Sequence, residues 1–381
     1  MEHGNSIRLL DSDMLIDSCI IRFNTQNSSF GSGTISLFRS NPIIKNNKIF
    51  RNRRAAIQSG ANIASSPLIE NNIIFENDVD NYNTPQINFG ATGTAPLIIR
   101  GNIIRGFYTN AGGIAFLPVG NANVIIENNI ITHNRYGIAL LGGSNITAII
   151  SNNRIDSNNI QGEPNRGGSG INFNGTSQQN TIVKYNLIRN NLWGITIQDH
   201  ARPNLGNINN ADTTDDGLNH IYNNSNSGLI YDLYNNSPDS ISAQNNYWGT
   251  TILDSVENHI FHKPDNPSLG FVNYIPIYVP TNINGTNLTV TGYKLYDAYP
   301  NPFNPTTTIR YELPKGGTVK LILYDMLGRE VSKFVNNEFK TAGSYSVVLN
   351  GINMSSGLYL YILEVNNGKD FRQVKRMVMI K

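Results

Sequence analysis

Down most of this chain an Ile is answered by an Asn at a constant separation. Ile57 is followed by Asn72, Ile87 by Asn102, Ile114 by Asn129, Ile138 by Asn153, Ile171 by Asn186, Ile195 by Asn210 and, less regularly, Ile230 by Asn245, each 15 residues on. The return interval, from an Asn to the next Ile, is not constant: it runs 10, 15, 12, 9, 18 and 9 residues from Asn47 onward. One part of every repeat is held to a single length while the other is free. Self-similarity of this kind decides the fold before any local propensity does.

Alignment on the Asn exposes two further columns. Two residues after it stand Ile49, Ile74, Ile104, Ile131, Ile155 and Ile188; three residues before it stand Ile44, Ile69, Ile99, Ile126, Ile150 and Val183. Segments such as PIIKNNKIF, PLIENNIIF and VIIENNIIT are short, β-branched and bounded by turn residues, which is a strand signature. Three short strands in each repeat of 24–33 residues, with no helix, describe one coil of a right-handed parallel β-helix. Coils stack about 4.8 Å apart, so like residues lie over like and the Ile columns become interior ladders. Asn suits the corner because it tolerates left-handed backbone and its amide can hydrogen-bond up and down a stack. A second Asn recurs five residues on, at Asn52, Asn77, Asn134, Asn158 and Asn191. A leucine-rich repeat is disfavoured because its L-x-x-L-x-L core is absent. The pattern already runs in the first residues, where MLIDSCII copies PLIENNII.

Only 15% of residues are charged and the net charge is +2, which argues against a nucleic-acid footprint. Cys19 is the single cysteine, so no disulfide framework exists; it occupies the Asn column, where a small buried residue is expected. No run of about 18 apolar residues is present to span a membrane, and no signal peptide is visible at the start.

Regularity fails after Asn210. The last credible coil is GLIYDLYNNSPDSISAQNNYWG, in which Trp248 takes the place of the ladder Ile and closes the exposed end. The stretch from QNNYWGT to NYIPIYVP resembles the terminal segment of many secreted bacterial parallel β-helix proteins. The expected organisation is an all-β chain: a β-helix over 1–280 with its C-terminal cap at about 229–280, a polar linker over 281–292, and a small antiparallel β-sandwich over 293–381. In this last part TIRYEL, TVKLILYD, YSVVLN and LYLYILEV alternate with period 2 between Gly, Asn and Pro turns. AYPNPFNPTTTIRYELP, LYDMLGREV, AGSYSV, SSGLYLYILE and KRMVMIK, in that order, resemble the type A C-terminal sorting domain of the type IX secretion system. The resemblance implies export across an outer membrane of a Bacteroidetes-like cell by the type IX machinery, cleavage of the module, and attachment to surface lipopolysaccharide or release. Such cargo also needs an ordinary secretory leader, so the missing leader is read as a truncated N-terminus.

The chemistry is harder to read. Pectin-lyase-like solenoids serve as lyases, hydrolases and adhesins, and fold does not choose among them. A hydrolase needs two carboxylates a set distance apart, and a lyase an acidic cluster for Ca²⁺. Asp199 and His200, with Arg202 near, form a candidate acid–base couple. Asp212, Asp215 and Asp216 in ADTTDDG are a candidate Ca²⁺ loop, against a plain solvated turn; no other cofactor is expected. His133, Arg135, Arg154 and Asp156 could line a charged groove or be a scattered polar exterior.

Binding to a polysaccharide or cell-surface glycan is the preferred reading, as an adhesin or carbohydrate-binding protein. A polysaccharide lyase or glycoside hydrolase and a structural surface protein are the alternatives. The chain is expected to be a monomer. All length variation falls on one wall, built from 75–86, 105–112, 132–136, 156–169 and 189–193. Tyr108, Tyr136 and Trp193 are placed at its margin as sugar-stacking rings, with Phe107 and Tyr82 nearby. The competing view is that Tyr136 and Trp193, each directly before Gly-Ile, merely cover that glycine.

Overall fold

The computed structural model describes residues 7–24, 33–142, 146–163, 168–175, 180–280, 292–298, 301–340, 343–352 and 354–380. The chain divides into two compact units, Met1–Pro280 and Thr281–Lys381. Most of the expected linker, 281–291, lies outside the described residues.

The first unit is a parallel β-solenoid, nearly all β. Its first sheet has ten strands, from Ile7–Leu10 through Ala55–Ser59, Ile114–Phe116 and Trp193–Gln198 to Ile260–Phe261. The second has seven, from Leu15–Asp17 to Asn180–Lys184, and the third eight, from Ile20–Arg22 to His220–Tyr222. Like residues pair with like: Ile87 with Ile57 and Ile114, and Ile131 with Ile104 and Ile155. The expected columns at Ile49, Ile74, Ile104, Ile131, Ile155 and Ile188 and at Ile44 to Val183 are fully buried, as is the closing Trp248.

The turn between the second and third sheets divides its work between two neighbouring residues. The residue before the ladder Asn adopts the left-handed conformation, as at Asn46 (φ 57°), Asn71, Asn128 and Asn152. The ladder Asn itself makes the contacts between coils. Asn129 shows the pattern. Its main-chain N–H and its amide both donate to Asn153 Oδ1 at 3.0 Å, the amide donates again to the Ile99 carbonyl at 2.9 Å, and its own Oδ1 accepts two bonds from Asn102. Every polar atom of a fully buried side chain is thus matched, so the desolvation penalty is met. The ladder runs unbroken through Asn47, Asn72, Asn102, Asn129, Asn153, Asn186, Asn219 and Asn246.

Three expectations are corrected here. Asn210 is not in the ladder: the segment after Ile195 is longer than a regular coil, Asn219 takes the corner, and the Asn210 amide donates to Asp215 Oδ2 instead. Asn245 is the left-handed residue (φ 57°) before the ladder Asn246, and Ile230 sits in a short antiparallel ribbon while Leu233 fills its column. Cys19 is in the column, donating its N–H to Asn47 Oδ1, but it is exposed, since no described coil covers its other side.

The second unit is a β-sandwich. Lys294–Leu295, Thr306–Leu313 and Gly343–Asn350 form one antiparallel sheet; Glu330–Lys340, Gly317–Asp325, Gly357–Val365 and Phe371–Met379 form the other. Their inner faces share a core that includes Phe303, Ile309, Leu321, Tyr361 and Met377. The Tyr361 hydroxyl donates to the Tyr296 carbonyl and accepts from the Ala298 N–H, tying the incoming segment to the core.

Truncating Ile131 to Ala is expected to cost about 2–5 kcal/mol through the cavity left in the stack. Asn129→Ala, which strips the Asn102 donors of their acceptor, should cost on the order of 3 kcal/mol. Denaturant unfolding of both variants checks this; a polar substitution as harmful as the apolar one is the distinguishing result.

Candidate functional site

The chain leaves the third sheet through a second corner with the same two-residue division. Asn24, Asn52 and Asn77 make one amide ladder there, which ends on Gln86 Oε1; Asn134, Asn158, Asn191 and Asn224 make another, which ends on Asp232 Oδ1. Between them the coil has Gly106, whose hydrogen leaves room that any Cβ would fill against Asn134. The residue before each ladder Asn is again left-handed. Toward the C-terminal coils it is His133 (φ 55°), Ser157, Asn190 and Asn223, and in three successive N-terminal coils it is Phe23 (φ 59°), Arg51 (φ 52°) and Glu76 (φ 55°). Bulky side chains are disfavoured there, and such conformations concentrate where the chain is shaped for a task other than folding.

These residues meet on the wall of variable length. Phe23, Asn24, Arg51, Arg53, Val79 and Asp80 line a cleft of about 360 Å³. Phe23 is 56% exposed and packs edge-on against Phe50, which stacks flat on Phe75 at 4.6 Å between ring centres. Arg51 meets Glu76 at 2.7 Å, Arg53 meets Asp80 at 2.5 Å, and Arg54 lies 3.8 Å from Asp80 and 4.0 Å over the exposed ring of Tyr82. Asp78 is fully buried beneath them; burial pushes its carboxyl up despite the Thr84 N–H and the nearby Arg54.

Of the rings expected at the margin, two are elsewhere. Tyr136 and Trp193 are buried, 6% and 7% exposed, so neither is available for stacking on a sugar. A residue directly before Gly-Ile lies against the outer face of the first sheet. There the Tyr136 ring fills the space over Gly112 and packs on Ala115 and Ala139; burial pushes its phenol up to about 12. Trp193 stacks on Tyr234 at 4.4 Å and meets Tyr231 edge-on. Tyr108 does lie on the wall, half-buried, edge-on to an exposed Phe107.

The candidate acid–base couple is not a couple. Asp199 is an exposed left-handed turn residue, and His200 Nδ1 contacts Asp239 Oδ2 at 2.8 Å instead. The three aspartates of ADTTDDG are not brought together either. Asp212 accepts the Thr214 N–H to start a short 3-10 turn, and Asp215 is buried and accepts from Asn204 and Asn210. The Asp216 carbonyl accepts from Asn245. Among the described residues no group of three His, Cys, Asp or Glu side chains is placed to hold a metal ion. Asp156 pairs with both Arg154 and Arg189. Burial would push Asp156 up, but bonds from Asn190 and Ser157 and the Arg154 charge outweigh it and hold the carboxyl at about 2.

Phe23, Arg51, Arg53, Val79 and Asp80 were not singled out by sequence reasoning. A signal was present: a Phe, Arg or Glu directly before a ladder Asn, where later coils carry His, Ser or Asn. Tyr136→Ala should behave as a core truncation, costing roughly 3–5 kcal/mol in urea unfolding. A variant that unfolds like the parent would mean the ring is not the cover described.

No curated protein matches the chain. Residues 297–381 match the family described as secretion system C-terminal sorting domain. The sandwich is therefore a type IX sorting domain, and the protein is a secreted or cell-surface β-solenoid carried out by that module.

Proposed function

We propose that the solenoid is a surface-displayed polysaccharide-binding protein and that the cleft between Phe23, Arg51, Arg53, Val79 and Asp80 receives a saccharide unit. The observation that carries this is the run of bulky left-handed residues at the cleft, beside an exposed aromatic ring and paired carboxylate and guanidinium groups. A ring gives a flat apolar surface for a pyranose face, and fixed carboxylates and guanidinium groups give acceptors and donors for neighbouring hydroxyls. Three arginines, at 51, 53 and 54, oppose three acids, at 76, 78 and 80, so the wall is locally neutral and favours an uncharged glycan over a polyuronate. The same pairing argues against hydrolysis. Glu76 and Asp80 are each held in an ion pair with an arginine, and Asp78 is buried out of reach of any substrate, so none of the three is free to serve a hydrolytic step.

A glycan array with the full chain, followed by titration of the best neutral oligosaccharide, tests the reading. Phe23→Asn should weaken binding about tenfold, or 1.4 kcal/mol, while the melting temperature stays level or rises, because Asn relieves left-handed strain of about 1 kcal/mol. Asp80→Asn should weaken binding further. Release of reducing ends or unsaturated products from the same glycans would replace binding with turnover, and retention of full affinity in both variants would move the site elsewhere.

Export is tested separately. Removing 297–381 from a secretory-signal fusion should leave the solenoid folded but held inside the envelope of a type IX-competent cell. Normal surface display of the shortened protein would contradict the role of the module.

A further inference from the structure

Alternate residues of each strand in the second sheet point outward, and there they form two unlike columns. The first is aliphatic. Ile43, Leu68, Ile98, Ile125, Ile149 and Ile182 stand in register on six successive coils, each beside a fully buried inward residue. Ile43 is 43% exposed and the others are half-buried. The solvent side of such a strand is ordinarily polar. An unbroken aliphatic ridge adds nothing to the interior ladders and forms a surface of the kind that marks association.

The second column, two residues further along the same strands, is charged and alternates in sign. Asp17, Lys45, Glu70, Arg100 and Glu127 follow one another on five successive coils. Within the chain Asp17 meets Lys45 at 3.6 Å and Glu70 meets Arg100 at 2.6 Å. Glu127 is left over. The next coil offers it Ser151, and among the described residues its carboxylate has no ion pair or hydrogen bond.

Alternation makes this row complementary to itself under one symmetry. A two-fold axis lying in the face and running along the strands sets each column against itself in reverse order. Passing between the coils of Glu70 and Arg100, it puts Glu70 opposite Arg100 of the second copy and Lys45 opposite Glu127, while aliphatic ridge meets aliphatic ridge. An axis through a coil would set like charge on like. One coil further along, Lys45 would meet Lys184, which stands in the same column. An axis along the solenoid would turn the charges onto the polar column of Asn123, Thr147 and Asn180 on the other side of the ridge. The six coils that overlap would bury on the order of 1,000 Å² over both copies, the low end for a specific pair.

We propose that the solenoid pairs antiparallel with a second copy of itself through the outer face of the second sheet, with Leu68 and Ile98 at the centre and Lys45 opposite Glu127 on either side. A reversible dimer then replaces the expected monomer. This does not rest on the glycan-binding reading.

Sedimentation of the purified full chain, over a concentration series reaching the hundred-micromolar range, tests it. The parent should dimerise reversibly, and Ile98→Asp should be monomeric throughout. Lys45→Glu and Glu127→Lys should each weaken pairing at least tenfold, because each sets like charges face to face twice. Mixing these two variants should restore pairing to near the parent's strength, since every altered side chain then meets its opposite. Phe107→Ser, which removes an exposed ring (64%) from the wall of variable length, should pair as the parent does. Each variant should keep the parent's circular dichroism spectrum. A monomeric parent would overturn the proposal, as would a dimer that survives Ile98→Asp or is equally lost in Phe107→Ser. Failure of the mixed charge variants to recover would overturn the antiparallel arrangement, and an altered spectrum in Ile98→Asp would mean that its loss of pairing is misfolding.

Discussion

The solenoid depends on a side-chain amide that is satisfied on all sides. Asparagine is normally an awkward interior residue, since its four hydrogen-bonding positions must all be met once water is gone. Here the coil spacing does this automatically. The carbonyl oxygen of one Asn receives the main-chain and amide hydrogens of the previous coil, and its amide reaches both the next coil and a strand carbonyl. The arrangement works only if the backbone turns sharply one residue earlier, which is why a left-handed residue precedes each ladder position. Aliphatic columns supply the driving force, but they are tolerant of register; the ladder fixes which residue of each coil stands over which.

That constraint also explains which wall is free to vary. In the five coils from Ile57 to Asn186 the stretch from the first sheet to the ladder Asn keeps one length of 15 residues, since a one-residue slip within a strand would carry its inward side chains to the outside. It takes 12 residues from Ile35 to Asn47 and 24 from Ile195 to Asn219. After the second Asn the chain is released, and loops of different length lead back to the first sheet. The cleft, the ion pairs from Arg51 to Asp80 and the exposed rings of Tyr82 and Phe107 all lie on this released side.

The fold was largely legible because it is written in repeated spacing: the Ile columns, the ladder and the closing Trp248 could each be placed by counting. Counting misled where the chain departs from the period. Asn210 stands at the right interval but belongs to an insertion, and its place is taken by Asn219. The site was far less legible. Composition finds aromatic residues but not which side of a sheet they face, so Tyr136 and Trp193 looked available when both are buried. Tyr136 fills the space over Gly112 and Trp193 stacks on Tyr234, relations between residues more than twenty positions apart. Phe23 and Arg51 were passed over because their meaning lies in backbone conformation, which the residue type alone does not announce.

The two ladders that reach the last coils have a direction, and both are closed at their C-terminal end. An Asn passes the chain of hydrogen bonds onward because it accepts and donates; a carboxylate can only accept. Asp232 takes two bonds from Asn224 and returns none to a following amide, while Asn246 turns its amide onto the Leu205, Ala243 and Gln244 carbonyls of its own end. They act as the stoppers of a polymer do. A second solenoid arriving at this end would find no waiting donor at either corner to template against, so the device that makes the stack endlessly extensible in principle also carries the signal that ends it.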